Sequence, residues 1–187
     1  MTIKKNVGTL IEEYDLRNVD RKIKDFYGIN VHKEFMPTLA DTSTVDSGKY
    51  KVITNNSFVF SGMQTGRDKK IRIGLYKGEP GIVSPAYTTF KIKDTNVIRP
   101  EYFLMCFLSD EMDRYGWFIS DSSIRANLDW EKFEKIELEL PSIDIQDKYI
   151  KIYGAMERVH NLKSMKQQLC PILVRKSIDE GGRINNG

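Results

Sequence analysis

Apolar and polar positions alternate through the middle of the chain in a way that predicts several short strands. Residues 71–76 (IRIGLY) alternate as a half-buried strand does, and residues 58–60 (FVF) are a run of strong β-formers. Residues 77–81 (KGEPG) combine glycine and proline as turns do. We therefore expect return strands at residues 82–84 and 87–90, after this turn.

A helix and a further strand are predicted beyond this region. Pro100 suits the first position of a helix, and the apolar residues that follow predict a helix over about 101–112. Alternation returns over residues 133–140, which indicates a last strand. Strands interleaved with helices place residues 1–141 in the mixed α/β class, as an α+β-like domain with a β-rich core.

Beyond Pro141 the apolar spacing becomes that of one long, coiled-coil-type helix, predicted within residues 142–187. Apolar residues recur at intervals of 4, 3, 4 and 3 and then of 3, 3 and 4, as in a helix seam that drifts around the axis. Up to Pro171, which should break or kink it, the helix would be about 39 Å long. Residues 181–187 are expected to form a frayed tail. Length and seam favour a partner helix over packing back on its own domain, through Ile145, Tyr149, Ile152, Met156, Val159, Leu162, Met165 and Leu169.

Composition narrows the class of protein. The chain has 187 residues, 40% of them hydrophobic and 29% charged, which suits one globular domain with an appendage. The longest uncharged apolar run, residues 102–108, is far shorter than a membrane span. No secretory signal follows the first basic residues, and two cysteines without metal-ligand spacing are typical of a reduced compartment. A cytoplasmic location is expected.

Charge is distributed unevenly along the chain, although the formal net charge is only +3. Residues 67–93 carry seven basic and two acidic side chains, whereas residues 101–139 carry four basic and ten acidic ones. The basic block predicts a surface that faces a polyanion. A solvated edge hairpin whose lysines deter aggregation explains the same block equally well.

Motifs for catalysis are sparse in this sequence. There is no phosphate-binding loop that ends in Gly-Lys-Ser/Thr and no Gly-x-Ser-x-Gly turn, and His32 and His160 are isolated. Residues 68–70 (DKK) fit the Asp-x-Lys end of a metal-dependent nuclease motif, without its upstream Pro-Asp pair. We therefore predict no catalytic, metal or cofactor site. A nuclease that uses Asp68 and Lys70 stays as an alternative.

An ordered set of segments resembles a known family, the specificity (S) subunits of type I restriction-modification enzymes. The similarity extends over a target-recognition domain and the helix that follows it, in order along nearly the whole chain. The matching segments are 28–30, 33–37, 49–53, 58–60, 63–71, 81–87, 99–103, 122–128 with Trp130 and Phe133, and 140–142 with the start of the helix through Gln146.

This resemblance implies a non-catalytic subunit that reads double-stranded DNA and docks the methyltransferase subunit and, through the complex, the restriction subunit. Such subunits carry two recognition domains, each of which reads half of a bipartite target, and helices that pair antiparallel. This chain has one domain and one helix, so it is either a half-length subunit that forms a homodimer or an excised fragment. A homodimer would present the same reader twice, and its target would be an interrupted palindrome. A mimic that binds the methyltransferase without reading DNA is a further alternative.

DNA recognition needs cations for phosphates and polar side chains for base edges. The resemblance and the basic block together direct attention to the loop before residue 71 and to a polar cluster at 122–127. The predicted DNA-binding residues are Gln64, Thr65, Arg67, Lys69, Lys70, Arg72, Ser84, Tyr87, Ser122, Ser123, Arg125 and Asn127.

Overall fold

The protein is described by a computed structural model that covers residues 2–39, 41–42, 44–63, 65–120 and 127–184, with only the backbone described for Gly66, Arg67 and residues 171–184. Its contacts divide the chain into two units, residues 1–146 and residues 147–187. The first unit holds all the strands of the described residues and five of their α-helices, and the second holds most of one long helix.

Two four-stranded sheets form the framework of the first unit, and a two-stranded sheet joins its ends. One sheet has the order β2-β9-β6-β7 and is antiparallel throughout, the other has the order β4-β3-β8-β5 with a parallel β3–β8 pair, and β1 pairs with β10. The strands are β1 Ile3–Asn6, β2 Ile11–Tyr14, β3 Phe26–Ile29, β4 Phe35–Pro37, β5 Lys51–Ile53, β6 Phe58–Ser61, β7 Arg72–Leu75, β8 Gly81–Val83, β9 Thr88–Ile92 and β10 Glu137–Leu140.

Short helices connect these strands, and one long helix follows them. They are α1 Val7–Leu10, α2 Thr65–Asp68, α3 Pro100–Cys106, α4 Asp110–Ile119, α5 Trp130–Glu134 and α6 Ile143–Ile184, with a 3-10 turn at Ser47–Lys49. The predicted mixed α/β, α+β-like class with a β-rich core is confirmed.

Strand β6 reads as continuous apolar sequence because both of its faces are buried. Phe58 and Phe60 belong to the larger core cluster, whereas Val59 belongs to a smaller cluster under the second sheet. A strand that is covered on both faces has no solvent side for polar residues. Phe58 stacks on Phe90 with ring centroids 5.0 Å apart, and Phe103 meets Phe58 edge-on.

Two predicted elements differ from the structure at their boundaries. The single helix predicted over 101–112 is wrong, since α3 ends at Cys106 and α4 begins at Asp110. The Ser109 hydroxyl caps α4 by accepting a hydrogen bond from the Met112 N–H at 3.2 Å, which starts a new helix inside the apolar run. The strand predicted over 133–140 begins only at Glu137, because Phe133 reaches the core from a helix.

Helix α6 spans 42 residues, about 63 Å at ~1.5 Å per residue. Pro171, predicted to break or kink the helix, does not end it, because α6 continues through that position to Ile184. A proline removes one backbone hydrogen bond, and the neighbouring turns keep theirs. Residues 181–184 are therefore helical, whereas residues 185–187 of the predicted tail lie outside the described residues. In the described part of the chain, no helix has the length and apolarity needed to cross a membrane.

Buried Gln146 fixes the first turn of α6 within the first unit. Its side chain is 0% exposed, and its Nε2 donates to the carbonyl oxygens of Val97 and Pro141 at 3.1 and 3.0 Å. Its Oε1 accepts from the Arg99 N–H at 2.9 Å. A buried amide with these three partners leaves little polar capacity unsatisfied.

Candidate nucleic-acid interface

The loop between β6 and β7 carries five of the twelve predicted DNA-binding residues. Thr65 opens the one-turn helix α2, and its buried hydroxyl donates to the Gly62 carbonyl at 3.0 Å. Lys69 follows α2 with φ of 53°, a left-handed conformation that redirects the chain into β7. Thr65 therefore holds the loop from inside, while Lys69 lies at its exposed turn.

The second polar cluster meets this loop at Gly62. The Leu128 N–H donates to the Gly62 carbonyl oxygen at 3.0 Å. A Cβ on Gly62 would lie 2.0 Å from the Leu128 carbonyl oxygen, so only glycine permits this approach. Asn127, next to Leu128, is half-buried. Two segments that are more than 60 positions apart in the sequence are thus in direct backbone contact.

Four of the predicted contacts in these two segments lie outside what the structure describes. Gln64, Ser122, Ser123 and Arg125 are among the residues that are not described, and for Arg67 only the backbone is described. Of the two predicted clusters, Thr65, Lys69, Lys70, Arg72 and Asn127 can be located.

A buried carboxylate, that of Asp113 in α4, ties this loop to the rest of the domain. Its Oδ1 accepts from the Lys33 ammonium at 2.7 Å and from the Ile71 backbone N–H at 2.9 Å. The side chains of Asp113 and Lys33 are both 4% exposed, and Lys33 also donates to the Phe107 carbonyl. One carboxylate thereby joins α4, the turn between β3 and β4, and the residue that enters β7.

Burial dominates the electrostatics of this ion pair. Desolvation lowers the pKa of Lys33 below its ordinary value of 10.5, even though the Asp113 carboxylate favours the charged ammonium. The Asp113 Oδ2 is also buried, and it has no hydrogen-bond partner among the described residues. The Lys70 ammonium lies 4.0 Å from this Oδ2.

The lysines of the loop keep part of their charge at the surface. The Lys70 side chain is 39% exposed. The Lys69 ammonium lies 4.8 Å from the centroid of the Trp117 ring, a cation–π contact with α4. Both ammonium groups are therefore held beside α4 at the surface, where a phosphate can reach them.

Arg72 has a different role from the neighbouring lysines. Its guanidinium pairs with the Asp68 carboxylate one helical turn earlier, and both side chains are mostly buried. The Arg72 Nε is buried without a hydrogen-bond partner among the described residues. The pair neutralises Asp68 inside the loop and leaves Arg72 little surface to offer a ligand.

Ser84 and Tyr87 belong to the turn between β8 and β9, where they have partners of their own. The Ser84 hydroxyl accepts from the Ala86 N–H at 3.3 Å, and the Ser84 carbonyl accepts from the Tyr87 N–H at 3.1 Å. The Tyr87 ring packs against the smaller core cluster. These contacts are structural.

The remaining lysines of the basic block are dispersed over the domain. Lys77 pairs with Glu101, and Lys91 lies over the Tyr14 ring at 5.7 Å. Lys93 donates to the Gly8 carbonyl at 3.2 Å. Charges that are neighbours in the sequence therefore do not form one surface, and the cationic site reduces to the loop before β7.

The predicted seam of α6 is exposed in this chain. The side chains of Ile145, Tyr149, Ile152, Met156, Val159, Leu162, Met165 and Leu169 are between 39% and 65% exposed. The apolar stripe from Ile145 to Leu169 is thus open to solvent in this chain.

Sequence reasoning missed the residues that position the loop, above all Lys33 and Asp113. They are 80 positions apart, and Asp113 lies in an acidic stretch that looks like an exposed helix face. No local pattern signals such a pair. The one available sign was Gly116, since glycine within a helix often marks close packing. A Cβ there would lie 2.4 Å from the Ile71 side chain.

The described residues bear on the nuclease alternative at Asp68. They contain no group of three or more His, Cys, Asp or Glu side chains that could hold a metal ion. Asp68, the predicted nuclease carboxylate, is paired with Arg72 and mostly buried.

Known structures that resemble this chain come from type I restriction-modification systems. The HsdS subunit of Thermoanaerobacter tengcongensis is 15% identical with a TM-score of 0.60, over 90% of this chain and 45% of that one. The S subunit of M. genitalium is 14% identical with a TM-score of 0.52, over 95% and 44%. A chain from a study of assembly and conformational transition of the type I R-M system is 8% identical with a TM-score of 0.56, over 93% and 43%.

At these identities the comparisons establish the fold, and this chain spans less than half the length of each of the three. No family model matches the sequence, and no curated protein matches it. The resemblance found in the sequence is confirmed in three dimensions: over at least nine-tenths of its length, this chain has the fold of the specificity subunits of type I restriction-modification systems.

Proposed function

We propose that this chain is a non-catalytic specificity subunit that reads sequence in double-stranded DNA and directs a methyltransferase and a restriction subunit to a bipartite target. The observation that carries the proposal is the fold shared with type I S subunits across at least 90% of the chain. A loop with two partly exposed lysines, next to the segment at Asn127, supports it. The proposed partners are duplex DNA and the methyltransferase subunit, in the cytoplasm.

Within this proposal the loop residues divide by role. Lys69 and Lys70 contact phosphates, which position the domain on the duplex. Asn127 and the predicted polar residues of the same segment, Ser122, Ser123 and Arg125, contact base edges together with Gln64. Thr65 and Arg72 hold the loop in shape through Gly62 and Asp68.

Helix α6 supplies the second part of the proposed function. Its exposed stripe pairs with the same stripe of a second copy, so two recognition domains lie on one DNA and the target is an interrupted palindrome. Replacing Ile152 by Asp puts a carboxylate in this seam, which is costly to bury. Lys151→Asp places the same group on the neighbouring position outside the seam and serves as the control.

Two measurements test these proposals. The chain is coexpressed with a type I methyltransferase subunit from the same organism, and methylated adenines are mapped on a plasmid. Methylation at a split target that requires this chain supports the proposal, and methylation that is the same without the chain contradicts it. Sedimentation is expected to show dimers for wild type and Lys151→Asp and monomers for Ile152→Asp. Dimers of Ile152→Asp would disprove the seam.

A further inference from the structure

The C-terminal half of α4 has exposed aromatic side chains to which no role has been assigned above. Tyr115, Trp117 and Phe118, here called the aromatic edge, are 45%, 45% and 82% exposed. Neighbours on the same helix behave differently, since Met112 and Ile119 pack against the core. Three large aromatic side chains in water on one short helix are an interaction surface rather than part of the fold.

The aromatic edge meets the loop before β7 at Trp117. Gly116 lies against Ile71 with no room for a Cβ, and Asp113 accepts a hydrogen bond from the Ile71 N–H. Lys69 and Lys70 immediately precede Ile71, and the Lys69 ammonium lies on the Trp117 ring. The Trp117 ring and the Lys69 ammonium therefore lie side by side, and Phe118 follows Trp117 along the exposed side of the helix.

Charge complementarity favours a polyanion as the occupant. The Lys69 ammonium lies on the exposed Trp117 ring, and the Lys70 ammonium on the same loop is partly exposed; ammonium groups match phosphates. The exposed acidic residues of α4, Asp110 and Glu111, lie in its first turn, about 10 Å along the axis from Phe118. Glu111 is paired there with Arg114.

We propose that Phe118 enters a groove of duplex DNA and contacts bases, while Lys69 and Lys70 bind the flanking phosphates. This inference rests on the proposed function and adds to it a base contact made by Phe118. Phenylalanine packs on thymine methyl groups in the major groove and wedges between base steps in the minor groove. The Trp117 ring contacts the Lys69 ammonium through a cation–π interaction. An aromatic contact to a base contributes about 1–3 kcal/mol, a 5- to 150-fold change in affinity.

Affinity measured at several salt concentrations separates the two kinds of contact. The probe is a duplex selected by the wild-type chain from a random pool, or a mixed-sequence duplex if none is selected. Phe118→Ala is expected to weaken binding 5- to 150-fold without changing the slope of log K against log salt, because no phosphate contact is lost. Lys69→Ala is expected to lower that slope by about one. Phe118→Trp keeps a ring and should retain most of the affinity.

The control for lost apolar surface is Leu39→Ala. Leu39 is 92% exposed and follows β4, at the opposite end of the β3–β4 hairpin from the turn that carries Lys33. It should leave affinity unchanged. Because both Leu39 and Phe118 are exposed, their replacement should leave the melting temperature unchanged, and this is checked first.

Each outcome decides between the proposals. Wild-type affinity and slope in Phe118→Ala overturn the aromatic contact and leave the proposed function standing. A Phe118→Ala variant that binds DNA normally but no longer copurifies with the methyltransferase assigns the aromatic edge to that protein instead. If the wild-type chain, alone and with the methyltransferase, binds no duplex, both the inference and the proposed function fail.

Discussion

The buried pair of Lys33 and Asp113 makes a sharp prediction about stability. Asp113→Asn keeps an oxygen for the Ile71 N–H and removes only the negative charge, so Lys33 is left as a buried ammonium with the Phe107 carbonyl. Lys33→Met leaves the carboxylate with the Ile71 N–H and with Lys70, whose ammonium is 4.0 Å away. Breaking one side of a buried pair typically costs about 3–5 kcal/mol.

Lys70 and the Ile71 N–H give the orphaned carboxylate partial compensation, so we expect each single replacement to cost about 3 kcal/mol. For a chain of this size that lowers the melting temperature by roughly 6–12 °C. The double replacement, Lys33→Met with Asp113→Asn, removes both charges and keeps the hydrogen bond to Ile71. It should lie within about 1 kcal/mol of wild type, since buried pairs replaced by neutral groups are often isoenergetic.

Urea unfolding of wild type, the two single variants and the double variant gives the four free energies of unfolding that this double-mutant cycle needs. The expected coupling energy is about 5–7 kcal/mol, larger than any exposed pair would give. Additive single effects of less than about 1 kcal/mol each would refute the reasoning, because they would mean that water reaches the pair in solution. Lys4→Met, which removes an exposed lysine paired with Glu137, provides the surface comparison and should cost little.

Three further predictions concern single sites. Gly62→Ala should destabilise the first unit by about 2 kcal/mol or more, because its Cβ meets a backbone oxygen at 2.0 Å. Gly154→Ala should not lower the melting temperature, because its Cβ meets only the end of the Arg158 side chain, at 3.6 Å. Burial raises the pKa of Cys106 to about 12. In a Cys170→Ser background at pH 8, Cys106 should therefore react with a thiol reagent about 10³-fold more slowly than an exposed cysteine. Unfolding the protein in urea should remove this protection. The pKa of Lys33 is lower in the folded state than its ordinary value of 10.5, so between these two pKa values the unfolded chain binds more protons than the folded one. The stability of wild type relative to Lys33→Met should therefore rise with pH in this range. A difference in urea midpoint between wild type and Lys33→Met that falls with pH would contradict this.

The sequence predicted those parts of the fold that have a local cause. Strand β6, buried on both faces, showed as an apolar run, and β7 showed as alternation. The helix break after Cys106 was missed because its cap, Ser109, interrupts a stretch whose composition stays helical on both sides. Local patterns therefore predict an element better than they predict its ends.

The candidate site was predictable only as a set of residue types. The cations at Lys69 and Lys70 are visible in the sequence, and so is their proximity to a turn. Nothing in the sequence distinguishes them from Arg72, whose guanidinium is paired with the Asp68 carboxylate inside the loop. The contact of Gly62 with Leu128 depends on how β6 and α5 pack, so the meeting of the two clusters became visible only in the fold.

The connections of Asp113 explain why a recognition loop would be built on a buried charge. An apolar residue at this position would fill the core as well, but it could not link α4 to both the Lys33 ammonium and the Ile71 N–H. Since Lys69 and Lys70 precede Ile71 directly, their ammonium groups inherit that geometry and lose less entropy when a phosphate binds. The pair thus contributes little net stability, and its benefit falls on the placement of the cations. If that argument is correct, the neutral double replacement at Lys33 and Asp113 folds as stably as wild type and still binds duplex DNA more weakly, whereas equal affinity would show that the loop needs no such anchor.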